Sequence, residues 1–175
     1  MAIKSDVGAG NTRSVASSRG VAIVGVMAAL TAVATMVIQI PTPATQGYIN
    51  LGDTIVMLSG ILFGPVVGSL SGGIGSALAD LLSGYGHWAP FTLVIKGVEG
   101  FLAGAAKGRG KLISLLILAL AGAEMVIGYF LVEWYLYGLG GALQEVPGNT
   151  FQAVSGIVFS YLLAPVIRRA LGEWL

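Results

Sequence analysis

Asp80, Lys96, Glu99, Glu124 and Glu133 are the residues of this sequence best placed to do chemistry, because each stands in an apolar run where charge is costly. Two of them share one short stretch, "VIKGVEG", Val94 to Gly100. Three positions apart on a helix, Lys96 and Glu99 lie on one face and can pair or reach neighbouring helices. Facing lipid, each charge would cost about 2.5–3.5 kcal/mol on insertion scales, so all should face the protein interior or a water-filled cavity. One lysine stands against Asp80, Glu99 and Glu124, with Glu133 beyond. Such a net acidic group fits a polar or cationic small molecule. The alternative is a set of interhelical braces that touch no ligand.

Other chemistries lack their residues. With no cysteine there are no disulfides, thiolate metal sites or cysteine nucleophile, and with one histidine, His87, a zinc site has too few ligands. "GRGK" is a short basic loop, not the longer phosphate-cradling motif of a P-loop ATPase. Ser83 and His87 sit beside Gly84 and Gly86 with no oxyanion-hole motif, so no enzyme activity and no cofactor are expected. No basic aromatic face points to nucleic acid.

The elements that must position these charges are set by composition. The 175 residues are 55% hydrophobic and 10% charged, with a mean hydropathy of +0.87, which marks an integral membrane protein. A crossing takes roughly 20 apolar residues, so the length allows at most about six. Residues 1–19, small and polar around Lys4, Arg13 and Arg19, read as a disordered cytoplasmic tail. Residues 20–175 then form a six-helix transmembrane domain. Its first span is 20–38, too long an apolar zone for a signal peptide and without a clear cleavage site. The uncharged run from Thr54 to Ala79 divides at "FGPVVG", Phe63 to Gly68, and further spans cover about 90–106, 112–135 and 150–170.

Charge fixes the count. With six spans and both termini cytoplasmic, the inner segments hold every Lys and Arg except Lys96, as the positive-inside rule requires. The outer loops, 39–53, 83–90 and 137–149, hold none and carry Tyr48, Asn50, Tyr85, His87, Trp88, Gln144 and Asn149. An interfacial aromatic belt accounts for many of these. At 1.5 Å per residue, Lys96 and Glu99 lie about 9 and 14 Å below the outer face, and Asp80 and Glu124 about 9–10 Å below it, so three helices contribute to one polar layer. Gly64, Gly68, Gly72 and Ser76 recur every fourth residue and continue in phase to Asp80 and Gly84. That face is nearly bare backbone, suited to close helix packing that delivers Asp80 into the seam. Ala28 and Ala32 form a second small pair, read equally as internal packing or as a docking face.

The run "GYINLGDTIVMLSGILFGPVVGSLSGGIGSALADLLSGYGHWAPFTLVIKGVEGFLAG", Gly47 to Gly104, resembles the substrate-binding S components of energy-coupling factor (ECF) vitamin transporters, nearest to the hydroxymethylpyrimidine, pyridoxine and riboflavin-type group. The resemblance implies a multi-pass subunit of a prokaryotic cell membrane that captures a small heteroaromatic vitamin or precursor from outside. It implies association with a transmembrane coupling subunit and two cytoplasmic ATPases, docked through Ala28 and Ala32. It also implies a site near the outer face. Mapped onto this chain, that site comprises Asn50, Lys96, Glu99, Glu124, Glu133, Asn149 and Gln152, with Asp80 as wall or support and Tyr85 and Trp88 available for ring stacking. Asp53 is expected to cap the second helix. A stand-alone carrier or channel using the buried charges as a relay is the alternative.

Overall fold

The computed structural model describes residues 17–172, so Lys4, Arg13 and most of the expected tail lie outside the described residues. Its elements are α1 (Ser18–Val37), β1 (Ile40–Thr42), β2 (Gly47–Ile49), α2 (Asp53–Phe63), α3 (Pro65–Leu82), α4 (Ala89–Gly104) and α5 (Lys111–Leu171). Ser17 caps α1, its Oγ accepting from the Gly20 amide at 3.1 Å, so the helix starts inside the segment expected to be a tail. The loop 39–53 is not irregular. "PTPATQG" closes an antiparallel hairpin pairing Ile40 with Ile49 and Thr42 with Gly47, so the fold is helical with one small ribbon.

The expected turn after Phe63 is a single residue. Gly64 takes φ 100°, a conformation open to glycine, and Pro65 starts α3 at once. The expected outer loop 137–149 is corrected more strongly. Only Gly138 (φ 79°, ψ 170°) departs from helical geometry, breaking α5 into two arms, 111–137 and 139–171. The Gly-rich sequence and Pro147 look like a loop, but the arm is held where Gly148 admits the Ile49 side chain against its backbone.

The helices α1, α3 and α5 are long and apolar enough to cross a membrane. Along the first arm Leu116, Leu120, Ile127 and Leu131 are exposed, and along the second Val154, Val158, Leu162 and Val166. Exposed aliphatic side chains at intervals of four and seven residues mark lipid-facing stripes, since water would oppose a patch of that size. The 11-residue α2 is the centre of the bundle, with Val56, Met57 and Ser59 fully buried. At about 16 Å it is shorter than the roughly 30 Å hydrocarbon layer.

Glycines let α2, α3 and α4 meet backbone to backbone. A Cβ on Gly68 would strike the Gly100 carbonyl, one on Gly100 would strike the Gly68 carbonyl, and one on Gly60 would come within 2.6 Å of the Gly104 amide nitrogen. This is the small-residue seam read from the spacing, and it does carry Ser76 and Asp80 inward. Gly84 leaves it, at φ 86° with nothing nearby. Ala28 and Ala32 are also internal: both are buried, and α1 packs on α3 where a Cβ on Gly75 would strike the Ala28 carbonyl. The expectation that this pair faces a docking partner is therefore corrected. The exposed alanines and glycine of α1 are Ala22, Ala29 and Gly25.

Candidate functional site

One end of the bundle encloses a polar cavity. The hairpin roofs it with Thr42, Thr45, Gly47 and Tyr48, followed by Asn50. Thr35 of α1 and Ser76 and Asp80 of α3 form one side; Trp88 at the cap of α4, and Thr92 and Lys96 within it, form another. The two arms of α5 close it with Tyr129 and Glu133 before the break and Glu145, Asn149 and Gln152 after it. The volume left free inside is about 40 Å³, room for a few waters.

At its floor Lys96, 3% exposed, donates to Asp53 and, at 3.0 Å, to Glu99. Asp53 was expected to cap α2, but Gly52 holds the cap position without a side-chain bond and the Asp53 carboxylate turns to the lysine. Gly156 makes room, since a Cβ there would come within 2.7 Å of the Asp53 Cβ. The Lys96 ammonium also lies 5.6 Å from the centre of the Tyr129 ring, within cation–π range. A helix start, a helix middle and the first arm of α5 thus converge on one cation.

The roof is tied to the walls by side chains. Tyr48 Oη donates to Asp80 Oδ1 at 2.5 Å, Thr45 Oγ1 to Glu145 Oε1 at 2.9 Å, and the Asn50 amide to Gln152 Oε1 at 2.9 Å. Burial first, and then the Asp80 carboxylate, push the Tyr48 phenol upward, so it remains a protonated donor. Gln152 Nε2 donates to Asn149 Oδ1 and Asn149 Nδ2 to Glu133 Oε1, each at 3.1 Å, a relay linking roof, second arm and first arm. Trp88 stacks on Tyr137 with centroids 6.0 Å apart and meets Tyr129 edge-on at 5.9 Å.

Of the residues singled out from the sequence, Asn50, Asp80, Trp88, Lys96, Glu133, Asn149 and Gln152 line the cavity. Glu99 is fully buried beneath Lys96, outside the lining. Glu124 is also outside it, and Tyr85 packs on the outer side of Tyr48 at 4.6 Å. Sequence reasoning missed Glu145 and Tyr129. Helical spacing held the signal, since Tyr129 and Glu133, like Glu145, Asn149 and Gln152, repeat at three to four residues; reading 137–149 as a loop hid Glu145, while Tyr129, inside an expected span, carried no charge to mark it.

The far end carries the basic residues. Lys107 Nζ donates to the Phe63 carbonyl at 3.4 Å and Arg168 Nη2 to the Ile61 carbonyl at 2.7 Å, satisfying the exposed C-terminal carbonyls of α2. Arg19 lies beside Phe63 and Leu171 at the same end.

Long apolar helices around one polar, roofed cavity, with cations gathered at the opposite end, are the features of a membrane protein. Residues 15–169 match the family described as ECF-type riboflavin transporter, S component, and the chain belongs to that family. This is a transporter family and not an enzyme family. Among its relatives, an uncharacterized protein from the gap 3′ region of Pyrococcus woesei is 48% identical over 142 residues, 80% of this chain and 95% of that protein. The thiamine precursor transporter HmpT of Lactococcus lactis subsp. cremoris is 33% identical over 150 residues, 84% of this chain and 86% of the relative.

Proposed function

We propose that this chain is the substrate-capture subunit of an ATP-driven ECF vitamin uptake system, binding a small heteroaromatic B vitamin or precursor in the hairpin-roofed cavity. The observation that carries this is a buried polar cavity walled by aromatic rings at one end of a bundle whose cations lie at the other. By the positive-inside rule the cationic end is cytoplasmic and the cavity opens outward. Six crossings with both ends inside is the arrangement we read here, and the six rods among the described residues, α1 to α4 and the two arms of α5, support it. The short α2 reaches the outer face through the hairpin that precedes it.

Binding to a panel of thiamine precursors, pyridoxine-type compounds and riboflavin, measured by calorimetry on ligand-free purified protein, tests this reading. Tight binding of one class is expected, and mass spectrometry should find the same class in protein purified without stripping. No binding across the panel, or uptake by this chain alone in liposomes without ATPase subunits, would overturn it.

Docking of the coupling subunit falls to the outward face of α1, where Gly25 has no atom near its missing Cβ and Ala29 is exposed. The double variant Gly25→Leu/Ala29→Leu should abolish co-purification with the ATPase module while changing ligand affinity less than about twofold. Unchanged co-purification would move the docking face elsewhere.

A further inference from the structure

Four buried polar atoms at this cavity find no hydrogen-bond partner among the described residues: Asp80 Oδ2, Glu133 Oε2, Thr35 Oγ1 and the Trp88 indole Nε1. All four side chains line the cavity and are at least 96% buried. Orphaned buried groups are costly unless something satisfies them. Their types matter: two are carboxylate oxygens, one is an N–H that can only donate, and one is a hydroxyl that does either.

The cavity's charges point the same way. Asp80, Glu133 and Glu145 each receive a hydrogen bond from a neutral side chain, namely Tyr48, Asn149 and Thr45. Among the described residues the only basic one in the lining is Lys96, already bound to two carboxylates outside it. The free oxygens of Asp80 and Glu133 therefore lack a donor among the described residues, and the cations nearest Asp80, Lys96 and His87, make no hydrogen bond to it; an amine brings a donor and positive charge together. The indole N–H asks in turn for one acceptor, such as a ring nitrogen or hydroxyl. The rings of Trp88 and Tyr129 supply apolar walls for a flat molecule. With about 40 Å³ free before any wall moves, one ring requires far less displacement than a fused tricycle carrying a polyol chain.

We infer that Asp80 and Glu133 select an amine-bearing, single-ring nitrogen heterocycle, of the aminopyrimidine or aminomethylpyridine kind, and that Trp88 orients it through an acceptor. This rests on the capture reading above and narrows it, and it departs from the riboflavin named in the family's description. The selection should be strong, because a hydroxyl can supply the donor these buried carboxylates lack but not the positive charge that a protonated amine or ring brings to them.

The test compares matched pairs by calorimetry: a 4-aminopyrimidine against its 4-hydroxy counterpart, and pyridoxamine against pyridoxine, with riboflavin alongside. The amino member of at least one pair should bind tenfold or more tighter than its hydroxy partner, and riboflavin should not bind. Glu133→Gln and Asp80→Asn, checked for a retained melting transition, should each reduce that preference to less than about threefold. Equal or tighter binding of the hydroxy members, or of riboflavin, would overturn the selection while leaving capture intact. A preference unchanged in both variants would remove these carboxylates from the role. If no compound binds, the capture reading falls and this inference with it.

Discussion

Lys96→Met should lower the melting temperature by roughly 6–20 °C, the shift that a loss of about 3–5 kcal/mol produces in a chain of this size, and should weaken ligand binding. The side chain it removes is, among the described residues, the only cation paired with Asp53 and Glu99, which are 1% and 0% exposed. Without it two carboxylates remain buried side by side, with Asp53 Oδ2 and Glu99 Oε1 already lacking partners among the described residues. Removing one member of a buried ion group is far more damaging than replacing the whole group by neutral residues of similar shape. The triple variant Asp53→Asn/Lys96→Met/Glu99→Gln should therefore recover most of the lost stability, as read by thermal unfolding in detergent. Binding in the triple variant separates two roles. Recovered stability with recovered affinity makes Lys96 a brace beneath the ligand; recovered stability with affinity still lost makes it a contact. A single variant as stable as the parent would show that the three groups are not coupled.

The buried charges were legible because the membrane makes them conspicuous: a lysine and a glutamate inside "VIKGVEG" have no cheap place except a shared interior. The partner was not. Asp53 is 43 residues from Lys96, and at a helix start the local rule for an aspartate is capping. Only the path of α2 through the middle of the bundle, with Gly156 opening space behind Asp53, turns that carboxylate inward. The glycine period in α3 was legible for the same reason as the charges, since bare backbone at fixed spacing has few uses besides close packing. On α1 the spacing rule marked small residues but not their direction, and rotation by one position separates buried Ala28 from exposed Ala29. The second arm of α5 was hidden because glycines and Pro147 weigh toward a loop locally. Contacts with the hairpin, through Glu145, Gly148 and Gln152, hold it as helix.

Gly100→Val should be the most damaging apolar substitution in the bundle, costing about 3 kcal/mol or more, the upper end of overpacking. At most positions a new side chain can push aside another side chain. Here it meets main chain. A Cβ at Gly100 would run into the carbonyl and the amide of the Gly68–Ser69 peptide, and neither can rotate away without unwinding α3. The helices must separate instead, and the separation reaches the site, since α3 carries Ser76 and Asp80 and α4 carries Thr92 and Lys96 into the same cavity. The two largest effects of the variant are then linked: a lowered melting temperature and a loss of binding that does not depend on which compound is offered. That second feature distinguishes it from changes at Asp80 or Glu133, which should alter the ranking of ligands. Gly140→Ala is the control, because a Cβ there has no atom within 4 Å and alanine favours the helix in which it stands. It should leave both readouts unchanged or raise the melting temperature slightly. If Gly100→Val melts with the parent, α3 and α4 are not held backbone to backbone. In that case the walls of the cavity owe their spacing to the Lys96 cluster alone.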